Sequence, residues 1–186
     1  MSTTAEEKVA ILQRFVDRYA NDLRVVVSAL GDAATPPAAQ RLLAGGLNYG
    51  LDMLDMFPDH YQGLGIADDA IVLRLAAKLA VAAGATDPAL AGLADEADQV
   101  EAVFDDLAGP LEALVAKLPE RAVRGRTADR IVEHGDTRVG LIGDVGREAK
   151  RHVAAPIVVE GGAERAIIEL RKMAEHGLKK AGIATG

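Results

Sequence analysis

Apolar residues recur three and four positions apart near the start of the chain, at Val9, Leu12, Val16, Tyr19, Leu23, Val26 and Leu30. That spacing keeps one face of an α-helix apolar. Thr3-Thr4-Ala5-Glu6 has the form of a capping box, with Thr3 and Glu6 satisfying free amide donors at the helix start, and Gly31 supplies the stop. Thr35-Pro36-Pro37 then predicts a cap and a proline-initiated helix whose face is Leu43, Leu47, Leu51 and Leu54. Pro58 is expected to end that helix, because the residue before a proline is driven out of the α region. A turn is expected from Asp59 to Ala67, with Gly63 and Gly65 inside it.

The pattern predicts a third helix from Asp68 to about Ala83, the most apolar of the chain, with Arg74 and Lys78 on one narrow stripe. Thr86-Asp87-Pro88 opens a fourth, and Val100, Val103, Phe104 and Leu107 continue its stripe to Gly109-Pro110, where a kink or a fresh start is expected. Beyond Pro119 the periodicity weakens. Arg124 to Thr127 reads as a loop and cap, His134-Gly135 as a stop, and Gly140, Gly143 and Gly146 as a flexible or closely packed stretch. Helix resumes from Glu148 to Ala155 before Pro156, and Ala163 to Ala181 forms a last amphipathic helix.

The pattern therefore predicts an all-α fold of five to seven helices in one domain over residues 1–186, with a C-terminal extension from about residue 120. Composition agrees: 49% of residues are hydrophobic but only 3% aromatic, so the core is built from Ala, Leu, Val and Ile, which favours helix over sheet. All six aromatics precede residue 105, which places the larger core in the N-terminal part. There is no cysteine, hence no disulfide, thiolate metal site or thiol nucleophile. With the acidic start, this points to a cytoplasmic address. Arg74 and Lys78 interrupt the most apolar stretch, so no span of a bilayer is expected.

A net charge of −7 argues against binding to nucleic acid or anionic lipid. From Arg121 to His152, however, seven arginines and one lysine face five acids, a local surplus of three positive charges. That stretch is the anion-facing candidate, with Gly140, Gly143 and Gly146 as backbone donors beside Arg147, Lys150 and Arg151. Its spacing is neither a Walker loop nor a dinucleotide fingerprint, and an ordinary solvated face accounts for the same residues.

One segment carries a recognisable pattern. Leu54-Asp55-Met56-Phe57-Pro58-Asp59 is followed by Leu64-Gly65 and by Asp68-Asp69-Ala70-Ile71. This resembles the YkvA-like domain of unknown function, whose members carry an apolar-Asp-apolar-apolar-Pro-Asp turn, a Gly, and a paired Asp opening a hydrophobic helix. Met53 stands where that family usually has Pro, and Tyr61-Gln62 where it has an apolar residue and Pro. The motif core spans about residues 36–84. The resemblance implies a relative rather than a reaction, since the family is defined by its pattern.

Four carboxylates at Asp55, Asp59, Asp68 and Asp69 repel one another unless solvated, capped or bound to a cation. In one reading Asp68 caps the third helix, Asp69 sits at the positive end of its dipole, and Asp59 organises the turn. In the other the four residues, with Asp52 or His60, hold Mg²⁺ or Mn²⁺, or Ca²⁺. His60, His134, His152 and His176 show no metal-ligand spacing, and Ser2 and Ser28 give a serine nucleophile no local support. The leading expectation is a non-catalytic interaction or scaffold protein that self-associates or binds a protein partner. The alternative is a divalent-cation-dependent hydrolase acting on a phosphorylated substrate.

Overall fold

A computed structural model describes residues 3–52, 56, 64–157 and 161–185. Among them there is no β-strand, only an isolated bridge between Val123 and Arg126. The helices are α1 (Ala5–Gly31), α2 (Pro37–Tyr49), α3 (Ala67–Ala82), α4 (Pro88–Asp95), α5 (Asp98–Phe104), α6 (Ala108–Lys117), α7 (Ala128–Glu133), α8 (Gly135–Arg151) and α9 (Gly162–Lys180). Seven of them are eight residues or longer, as the all-α expectation required, and α5 and α7 are shorter additions. No helix among the described residues is long and apolar enough to cross a membrane.

The first helix organises the rest. Its stripe of Leu12, Phe15, Val16, Tyr19, Leu23, Val26 and Leu30 is buried, and α2, α3, α8 and α9 all pack against α1. The cap is set one residue later than the sequence suggests: Thr4, not Thr3, accepts the amide of Glu7, and the Glu7 carboxylate accepts the Thr4 amide at 2.8 Å. Helix α3 lies between α1, α2, α4 and α6, and twelve of its sixteen residues are buried. Its contact with α2 is close, since a Cβ added to Gly46 would stand 2.8 Å from the Ala76 Cβ.

Two boundaries depart from expectation. Helix α2 stops at Tyr49 rather than Pro58, with the Leu51 and Asp52 amides donating hydrogen bonds back to the Asn48 and Tyr49 carbonyls. Leu54, Phe57 and Pro58 fall outside the described residues. A fresh start does occur around Pro110, where α6 begins at Ala108.

The glycine-rich stretch is the second departure, because it forms one continuous helix, α8. Leu141, Val145 and Ala149 sit one turn apart and are buried, a stripe that packs on α1, whereas Gly140, Gly143 and Gly146 are all exposed. The buried stripe outweighs the weak helix propensity of the glycines. The expected loop and cap before it are present, with Thr127 accepting the Arg130 amide at the start of α7.

Candidate functional site around Asp68 and Asp69

Asp68 and Asp69 occupy the first turn of α3, where a negative charge meets the positive helix end. The capping role expected of Asp68 is not what its position supports. The N-cap is Ile66, which makes no side-chain cap bond, and α3 has already begun at Ala67. Asp68 is fully buried. Its Oδ2 accepts the Tyr49 hydroxyl at 2.8 Å and the Met56 amide at 2.9 Å, and the same amide lies 3.0 Å from the Tyr49 oxygen. The carboxylate therefore fastens the end of α2 and the chain beyond it to the start of α3.

Asp69 makes the equivalent connection to α1. Its Oδ2 accepts the Tyr19 hydroxyl at a long 3.4 Å, and Tyr19 in turn meets the His152 ring edge-on, with centroids 5.4 Å apart. His152 Nε2 donates to the Val16 carbonyl at 2.9 Å, which pins the chain after α8 to the same turn of α1. Gly50 lets these groups meet, since a Cβ there would lie 2.8 Å from the Tyr19 hydroxyl.

Burial, reinforced by the charge of Asp69, raises the Tyr19 pKa well above the ordinary phenol value. Burial first, and then Asp68, do the same to Tyr49. Both phenols stay protonated at any physiological pH and serve as fixed donors. A phenol held neutral so firmly is a poor proton acceptor near neutrality, so this arrangement suits anchoring better than acid–base turnover.

Asp55, Asp59 and His60, the remaining members of the sequence-predicted cluster, lie outside the described residues. Asp52 is placed elsewhere, in an ion pair with Arg121 at 2.5 Å. Among the described residues, no group of three or more His, Asp or Glu side chains is placed to hold a metal ion. His134 and His176 are exposed, His134 preceding α8 and His176 on α9, and Ser28 lies exposed on α1. The anion-site reading of Gly140, Gly143 and Gly146 is also corrected. Amides inside a helix bond to carbonyls four residues back and are not available to cradle a phosphate.

A second buried polar centre has no counterpart in the sequence reading. Arg74 is fully buried beneath α1. Its Nη2 reaches Asp22 at 2.9 Å, its Nε reaches Glu96 at 3.0 Å, its Nη1 reaches the Ala70 carbonyl at 2.9 Å, and its guanidinium carbon lies 3.7 Å from the Phe15 ring centroid. Arg18 adds a further ion pair to Glu96. Burial lowers the Arg74 pKa, opposed by Asp22 and Glu96, and burial raises that of Asp22, opposed by Arg74. One signal was present, for Asp22 interrupts the apolar stripe of α1 between Tyr19 and Leu23.

No protein-family model, curated protein or solved structure matches this chain. The YkvA-like reading accordingly rests on the motif residues themselves.

Proposed function

We propose that the protein is a non-catalytic helical interaction or scaffold protein, a YkvA-like chain whose paired aspartates serve its architecture. The observation that carries this reading is the enclosure of Asp68, held by the Tyr49 hydroxyl and the Met56 amide away from solvent. A carboxylate used this way joins three segments, and substrate has no direct approach to it. The address consistent with this reading is cytoplasmic.

The partner in this reading is a second copy of the chain. It is supported by the C-terminal elements, where Val139 on α8, Val153 after it and Ile168 on α9 are 69%, 80% and 52% exposed. Sedimentation of the purified chain should give a mass above that of a monomer, and Val139→Asp with Ile168→Asp should lower it. A monomer at every concentration would overturn the self-association.

Thermal melts test the role of the aspartates. Asp68→Asn should lower the melting temperature equally in chelator and in Mg²⁺ or Mn²⁺. A cation-induced rise confined to the wild type would replace the scaffold reading with the divalent-cation hydrolase.

A further inference from the structure

A cleft of about 410 Å³ opens where the ends of α2, α6 and α9 converge, a volume within the range of small-molecule sites. Its walls are apolar, formed by Met56, Leu114, Leu118 and Ala181. Tyr49, 2% exposed, closes its inner side with the ring whose hydroxyl holds Asp68. Gly177 brings α9 against Met56, for a Cβ there would come within 2.5 Å of the Met56 Cγ.

The rim is cationic in a protein of net charge −7. Among the described residues, Lys117, Arg121 and Lys180 line the cleft against one acid, Glu120. Arg121 is held by Asp52. Lys117 and Lys180 enter no ion pair among the described residues, and both are exposed. They end α6 and α9, where a lysine also offsets the negative helix end. That general role does not explain why both flank the same apolar cleft. Each full ammonium charge exceeds the roughly half charge of the helix end it caps, so both lysines remain available to an anion at the edge of the cleft.

We propose that this cleft binds a single-chain anionic amphiphile, its head between Lys117 and Lys180 and its apolar chain against Leu114, Leu118 and Met56. The charge of the rim selects the head, and the apolar walls select the chain. A bound chain would touch Tyr49 and Met56, the two groups bonded to Asp68, so occupancy would bear directly on the motif. This goes beyond the scaffold reading and does not depend on it, since ligand binding and chain mass are measured separately.

The test uses the full chain and sodium dodecanoate below its micellar concentration, with dodecyltrimethylammonium as the matched cationic control. Calorimetry should show saturable binding of one dodecanoate per chain. The Met56 methyl resonance, assigned with Met56→Leu, should shift in step. Lys117→Glu with Lys180→Glu should weaken dodecanoate at least tenfold while lowering the melting temperature only slightly, since each lysine also offsets a helix end, and Ala181→Phe, which fills the cleft from an exposed position, should abolish binding. The lysine variant decides the matter if Ala181→Phe fails to fold. No saturable binding, equal affinity for the cationic homologue, or unchanged affinity in the lysine variant would each overturn the proposal.

Discussion

Helices α3 and α8 are nearly equal in length, at sixteen and seventeen residues, yet they are built in opposite ways. Helix α3 buries twelve residues, including Asp68, Asp69 and Arg74, and its polar groups are spent on other elements. Helix α8 buries three and turns its glycines and most of its charges outward. The first is held by contacts on every side and can therefore enclose charge. The second is held by a single stripe and depends on little else. Polar residues mean different things in the two helices: in α3 they link elements from within the core, whereas in α8 most face water. Arg138 and Asp144 of α8 do reach neighbouring segments, through the Ile131 and Val132 carbonyls and Arg126.

This contrast would break first at Arg74. Removing one member of a buried ion pair strands the other, so Arg74→Ala should destabilise the protein by about 3–5 kcal/mol in chemical denaturation, because Asp22 is left buried without its partner. Replacing both with apolar residues, Arg74→Met with Asp22→Leu, should recover most of that loss. If Arg74→Ala were nearly neutral, α3 would not be the enclosed helix described above. A smaller effect is expected at the motif. Tyr49→Phe removes the hydroxyl from Asp68 while leaving the Met56 amide in place, and should cost about 1–3 kcal/mol.

The same contrast explains what could be read from the chain. The boundaries of α1 and α9 followed from apolar spacing, because in each the period-3.6 stripe is long, whereas the extent of α3 followed from its nearly continuous apolar run, since its start at Ile66 carries no side-chain cap. The continuity of α8 was not legible, since three glycines suggest a loop locally, and only the docking of Leu141, Val145 and Ala149 on α1 decides otherwise. The end of α2 was misplaced because Pro58 is a strong local signal, whereas Tyr49 and Gly50 are fixed by tertiary contacts. At the candidate site, the pairing of Asp68 with Asp69 was visible as sequence. Their partners Tyr49 and Tyr19 were not, because those contacts cross nineteen and fifty positions.

Helix α8 offers the converse test. A Cβ added to Gly146 meets nothing within 4 Å, and the residue lies exposed within the helix. Gly146→Ala should therefore stabilise the protein by about 0.5–1 kcal/mol in the same denaturation experiment, through lower unfolded-state entropy and better helix propensity. No gain, or a loss, would indicate that this face is covered by a partner in solution.

The smallest expected effect separates the two regions by the sign of a pH dependence. Burial raises the Asp22 pKa beneath α3, even though Arg74 and Arg18 oppose it. The folded state then holds this proton more tightly than the unfolded chain. The stability contributed by Asp22 is fully present below its unfolded value near 3.8 and is lost as pH rises through the raised folded value. Asp144 on α8 behaves oppositely. Burial alone would lift its pKa, but hydrogen bonds from Arg126 and Arg147 outweigh that and hold it below the ordinary carboxylate range. Its contribution is present above the unfolded value and lost as pH falls through the lowered folded one. Denaturation of wild type, Asp22→Asn and Asp144→Asn from acid to neutral pH isolates each group, because the other carboxylates cancel in the differences. Relative to Asp22→Asn the wild type should lose stability as pH rises, and relative to Asp144→Asn it should gain. Two differences running in the same direction would show that Asp22 is stabilised by Arg74 more than it is penalised by burial, and that enclosure does not distinguish α3 from α8 electrostatically.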